Sequence, residues 1–133
     1  MALKIIGEKD KVYIASPYRP ILEDYKQRGL SEQEALSQIE YFAQIGCATV
    51  KSWGSIPVSP ILTFSGVYEE YAEREKIEEA CAVLLKCCQI LCLVDTPYNQ
   101  YSQGIKKELE IAEQNKIPVI VLKTTFEFVK ERK

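Results

Sequence analysis

Ile90-Leu91-Cys92-Leu93-Val94, preceded by Gln89 and closed by Asp95 and Pro97, is the segment that decides the fold. A continuous apolar run this short, bounded by turn formers, suits a strand buried on both faces. Such strands belong to parallel sheets covered by helices on either side. The flanking sequence supplies them. Upstream, Glu70 to Cys88 sets Ile77, Cys81, Leu84, Leu85 and Cys88 on one side of a helix. Downstream, a helix starts after Ser102 and runs to about Asn115, and Lys116-Ile117-Pro118-Val119-Ile120-Val121-Leu122 gives a last strand.

Towards the N-terminus, Lys11-Val12-Tyr13-Ile14-Ala15-Ser16 is β-branched and aromatic and stops at Pro17, which makes it the first strand. Leu30-Ser31-Glu32-Gln33-Glu34 carries a capping box, with Ser31 as N-cap and Glu34 three residues on. Ala35, Leu36, Ile39, Phe42 and Ala43 follow at helical spacing, so this helix runs to about Trp53 and ends at Gly54. Ile56-Pro57-Val58-Ser59 reads as a strand start or edge, because Pro57 has no ladder donor. Ser59 to Glu69 reads as a loop able to cover a site, and the tail Phe126 to Lys133 as a short amphipathic helix. The alternation implies βαβ units with right-handed crossovers. The expected fold is α/β: one flavodoxin- or Rossmann-like domain over residues 1–133, a three-layer sandwich around a mostly parallel sheet of roughly four to five strands.

Composition narrows the function. With 133 residues, 47% of them hydrophobic, the chain can close one core. Its 17 basic and 19 acidic side chains are interspersed, leaving no basic stripe for polymeric DNA or RNA. Met1 to Gly7 is too short for a secretory core, and no apolar stretch approaches the ~18 residues of a membrane span. A cytoplasmic protein without a membrane partner is the expectation. The five cysteines fall in apolar segments without a Cys-x-x-Cys and read as small buried hydrophobes. No histidine is present, which removes His-based zinc sites and His-based acid/base schemes. Catalysis would have to use Glu, Asp, Tyr, Lys or Cys, with no metal and no cofactor implied.

Open α/β sheets bind ligands at the carboxyl ends of their strands. The loops after the first strand and after Ile90–Val94 share that edge, so Ser16-Pro17-Tyr18-Arg19 should lie beside Tyr101-Ser102-Gln103-Gly104-Ile105-Lys106-Lys107-Glu108. Arg19 offers a planar cation, and Ser102 with the first amides of its helix offers donors for an anion. Glu108 falls inside the rim, where desolvation would raise its pKa and the Tyr13 hydroxyl could orient it.

Tyr13-Ile14-Ala15-Ser16-Pro17-Tyr18-Arg19 followed by Ser102-x-Gly104-x-x-x-Glu108 and Ala112 resembles the nucleoside 2-deoxyribosyltransferase superfamily, including its 2'-deoxynucleoside 5'-phosphate N-hydrolases. The order of elements agrees over nearly the whole chain, while the signature is confined to these two segments. What the resemblance implies is N-glycosidic bond cleavage or transfer on a nucleoside or nucleoside 5'-monophosphate, with a homo-oligomer, dimer or higher, completing each pocket. Glu108 would be the nucleophile and Tyr13 would hold it. Ser102 and Arg19 would grip a 5'-phosphate or 5'-hydroxyl, Gly104 would admit the sugar, and Ser16, Pro17, Tyr18 and Tyr101 would line the substrate pocket. The family places an Asp before this strand to protonate the departing base, and here the stretch is Glu78-Glu79-Ala80-Cys81. Glu79, or Asp95 from the strand end, is the substitute the sequence offers. Without such a donor the same pocket would serve a non-catalytic nucleotide-binding or sequestering module.

Overall fold

The computed structural model describes residues 9–123. Strands β1 (Lys11–Ala15), β2 (Ile56–Val58), β3 (Ile90–Asp95) and β4 (Val119–Lys123) form one sheet in the order β2-β1-β3-β4. All three pairings are parallel, with Val12 opposite Ile90, Lys11 opposite Ile56 and Leu91 opposite Val119. The helices are α1 (Arg19–Gln27), α2 (Glu32–Ser52), α3 (Pro60–Phe64), α4 (Arg74–Lys86) and α5 (Gln103–Gln114). This is a flavodoxin-like α/β sandwich, and its strand order reverses between β1 and β3. The helix suggested for Phe126 to Lys133 lies outside the described residues.

Alternation along β1 sorts the core into two layers. Val12 and Ile14 pack with Ile21 of α1 and Ile39, Phe42 and Val50 of α2, together with Ile90, Cys92 and Val94 of β3. On the opposite face Tyr13 and Ala15 pack with Leu91 of β3, Leu85 of α4 and Ala112 of α5. α2 begins at the capping box: Ser31 Oγ accepts from the Glu34 amide at 3.1 Å, and Glu34 Oε1 accepts from the Ser31 amide at 2.9 Å. α5 begins at Ser102, whose Oγ accepts from the Ile105 amide at 3.1 Å. The connection before it is pinned by Asn99, whose Nδ2 donates to the Val94 carbonyl at 2.8 Å. The end of β3 thereby fixes where α5 starts.

Three local readings change. Arg19 is not in a loop but opens α1. Two prolines disguise this helix, yet Pro20 sits where the missing amide would have no intrahelical partner. Ile21, Leu22 and Tyr25 give it a core-facing side. Within the expected loop after β2, Ser59 caps the single-turn α3 by accepting from the Leu62 amide at 3.1 Å. α4 starts at Arg74 rather than Glu70, because the Glu69 and Glu73 carboxylates bond the amides of Tyr71, Ala72 and Glu69 and hold residues 69–73 in turns.

Gly46 sets the distance between α2 and the sheet. A Cβ there would stand 2.7 Å from Ile14 Cγ2 and 2.9 Å from Val94 Cγ2, both on core strands. Gly46→Ala gains helix propensity of about 1 kcal/mol but overpacks this contact at a cost of about 1–3 kcal/mol. With Cβ contacts this short the overpacking should win, and we expect a net loss of stability of up to about 2 kcal/mol on urea unfolding. Unchanged or higher stability would show that this helix does not set the spacing.

Candidate functional site

The site stands where the strand order reverses, at the carboxyl ends of β1 and β3. Tyr13 is fully buried in β1 and directed towards α4 and α5. Its hydroxyl donates to Glu108 Oε2 at 2.5 Å. Glu108 lies on α5 six residues after its N-cap, on the cavity wall. Burial pushes its carboxyl up to about 7, against the opposing pull of the Tyr13 hydrogen bond and the Arg74 charge. Burial, with the Glu108 charge beside it, drives the Tyr13 hydroxyl far above its usual range, so Tyr13 remains a donor. The Cys81 thiol on the same wall is pushed up to about 11, by burial first and then by Glu108, and stays protonated near neutral pH.

A cavity of about 470 Å³ opens above this pair. That size falls within the roughly 300–1,000 Å³ of small-molecule sites. Ser16, Ser102 and Gly104 line the sheet end of it, and Ile61, Phe64 and Ile77 supply apolar wall. Ser16 Oγ is buried and, among the described residues, has no hydrogen-bond partner.

A chain of alternating charges crosses the cavity from α1 to α5. Arg19 Nε donates to Glu70 Oε2 at 3.2 Å, its Nη2 donates to the Glu70 carbonyl at 3.3 Å, and its guanidinium lies over the Tyr71 ring at 4.4 Å. Arg74 Nη1 donates to the same Glu70 Oε2 at 3.0 Å, and its Nε to Glu78 Oε2 at 3.1 Å. Lys107 completes the chain through Glu78 Oε1 at 2.8 Å. The Glu70 side chain is only 11% exposed. Its burial raises the carboxyl above the ordinary value even though Arg74 and Arg19 pull it down. Glu78 is held below its ordinary value, chiefly by the Lys107 hydrogen bond, with the charges of Lys107 and Arg74 adding to it.

The structure brings Tyr13, Ser16, Arg19, Ser102, Gly104 and Glu108 into one place. Tyr18 is half-buried on the wall and Tyr101 is exposed at the rim. Pro17 is fully buried behind the wall. The two proton-donor substitutes fall elsewhere. Glu79 is exposed and off the wall, because one helical residue rotates it ~100° from Glu78. Asp95 is bonded by Lys123 of β4 at 3.0 Å and is also off the wall. Glu70 and Arg74 were missed. Their signal is the i, i+4 series Glu70, Arg74, Glu78, which in sequence looks like a solvated helix face.

The raised Glu108 carboxyl links stability to pH. Between its ordinary value of 4.5 and about 7 the folded chain holds a proton that the unfolded chain has released, so this group's contribution falls as pH rises through that window. Glu108→Gln should remove this component and exceed wild type in stability above neutral pH by on the order of 1–3 kcal/mol. Urea titrations of both proteins across the window will check it, and parallel curves would contradict a buried, raised carboxyl.

A family model described as Domain of unknown function (DUF7768) matches residues 10–122. No curated protein matches the chain. The matched stretch runs from before β1 into β4 and takes in every cavity residue named above. The chain therefore belongs to the DUF7768 family.

Proposed function

We propose that this protein cleaves or transfers the N-glycosidic bond of a nucleoside or nucleoside 5'-monophosphate through a covalent glutamyl intermediate. The observation that carries the reading is the Glu108 carboxylate, fixed by the Tyr13 hydroxyl, on the wall of a nucleoside-sized cavity at the sheet's switch point. It is supported by the resemblance of both short segments to the deoxyribosyltransferase superfamily.

The Tyr13 bond occupies Oε2 and leaves Oε1 to attack the anomeric carbon. As the C–O ester bond forms, the C–N bond breaks and its electron pair leaves with the base. Water, or a second base, then attacks the same carbon and returns the carboxylate. The base leaves more easily if it collects a proton. Glu70 fits that role better than either carboxyl the sequence offered, because it faces the cavity and burial favours its protonated form. One observation favours the alternative of a binding or sequestering module. Both arginines bond Glu70 Oε2 and thereby favour the charged carboxylate, which cannot donate.

Base release from a panel of nucleosides and nucleoside 5'-monophosphates, followed by chromatography, tests the reading. Glu108→Ala should lose activity by on the order of 10⁴-fold. Wild-type kcat/KM should rise as pH approaches about 7, since the nucleophile must be ionised, and on ordinary bases it should fall again once Glu70 has lost its proton, giving a bell rather than a plateau. Glu70→Gln should lose ~10²–10⁴-fold on ordinary bases, and far less on a 7-methylated purine, whose cationic base needs no proton to leave. Binding of intact nucleotide with no release by wild type would select the sequestering module. Equal release by wild type and Glu108→Ala would exclude the nucleophile.

A further inference from the structure

The two edges of the sheet are built differently. On β2 the Ile56 amide donates to the Asp10 carbonyl at 2.9 Å, so residue 56 turns its backbone groups to β1 and residue 57 turns its own outwards. Residue 57 is a proline, which has no N–H to offer, and the strand is only three residues long. Short length and a proline at the outward position are ordinary protections of an exposed edge.

β4 lacks both. The Leu91 amide donates to the Pro118 carbonyl at 2.9 Å, and Leu91 stands opposite Val119. Residues 118 and 120 therefore turn their backbone groups to β3, while Val119 and Val121 turn theirs away from it. Among the described residues the sheet ends there. Pairing with β3 runs one for one from Val119 to Lys123, so no bulge twists the edge aside. The strand's cation, Lys123, is bonded to Asp95 at 3.0 Å. Val119 and Val121 are also 43% and 52% exposed, on the face that carries Leu91 and Leu93. The same two residues thus present outward backbone groups and uncovered apolar side chains.

We propose that β4 is the interface for a second copy of this chain, paired antiparallel across a two-fold axis at Ile120 to make one continuous sheet. An outward row of amides and carbonyls is matched by another strand, and the valine spacing fits the same edge turned round. With Ile120 opposite Ile120, Val119 meets Val121 of the second copy and exchanges both backbone hydrogen bonds with it. The symmetric pair does the same, and the valines cover one another on one face. A register centred on Val121 would instead set Val119 against Lys123. No cavity residue lies on β4, so this contact differs from the pocket-completing oligomer that the resemblance implies, and it stands independently of the N-glycosidic reading.

Sedimentation equilibrium over a range of protein concentrations, with amide exchange read by NMR on the same samples, tests this. Reducing buffer keeps the exposed Cys87 from linking copies. Wild type should form a dimer that dissociates on dilution. As it forms, the Val119 and Val121 amides should gain at least about tenfold in protection, while Ile120 and Leu122, which face β3, are protected throughout. Val121→Pro removes an outward donor and spares the ladder to β3, and it should weaken association by at least about tenfold, as should Val121→Lys. Val83→Lys, at an exposed valine on α4, should leave association unchanged. Protected Ile120 and Leu122 amides in each variant show that β4 is still in place. A wild type that stays monomeric at every concentration overturns the inference. So does a dimer whose Val119 and Val121 amides stay unprotected, or one that survives Val121→Pro with β4 in place.

Discussion

The hydrogen bond from Tyr13 to Glu108 is the constraint on which the rest of the site depends. A carboxylate taken out of water needs a donor, and a core tyrosine needs an acceptor, so each makes the other's burial tolerable. The sheet and helix geometry exist around that pair. β1 must be an inner strand for Tyr13 to lose all contact with solvent, and its alternation must turn residue 13 towards α4 and α5. α5 must start at Ser102 for Glu108 to meet it, with Ile105 and Ala112 buried in the same helix. A one-residue shift of either element would carry one partner out of reach.

The charged chain above the pair is a different kind of structure. Its outer member, Lys107, is 55% exposed, and such a pair adds little to stability. Glu70, between the two arginines, is the group that matters, since it holds both guanidinium groups at the cavity. Breaking either contact would leave a poorly solvated charge behind. The chain therefore sets Glu70 and Arg74 on the cavity wall that also carries Glu108, and its exposed members add little to stability. It adds to the cavity, beside the raised Glu108, one more carboxyl that burial raises, Glu70, and another, Glu78, that its cations hold below the ordinary value.

Much of this architecture is written locally in the sequence. The apolar run Ile90–Val94 announces a doubly covered strand, and Ser31 with Glu34 announces the start of α2 through a pattern that the structure contains bond for bond. The parallel order follows from helices placed between strands. What escaped is non-local or disguised. α1 is hidden because Tyr18-Arg19-Pro20 has the composition of a turn, although Pro20 suits the second helical position. Glu70 and Arg74 look like an ordinary surface pair until the fold lays residues 69–74 across the end of the sheet. Glu79 shows the opposite error: the resemblance pointed to its stretch of the helix, and one residue of helical rotation turns it to solvent. The Tyr13–Glu108 contact, by contrast, spans 95 residues and was still legible, because the expected sheet topology brings the two segments to one strand edge.

The central claim is that Glu108 forms a bond to sugar carbon, and intact-protein and peptide mass spectrometry address it most directly. A 2'-fluoro-substituted nucleoside 5'-monophosphate with an activated base should accumulate the covalent intermediate, because the fluorine disfavours the oxocarbenium-like transition state of its breakdown. The account predicts one glycosyl phosphate added to the peptide that contains Glu108, and none in Glu108→Gln. Base released with no adduct on wild type, or an adduct on any other residue, would contradict it.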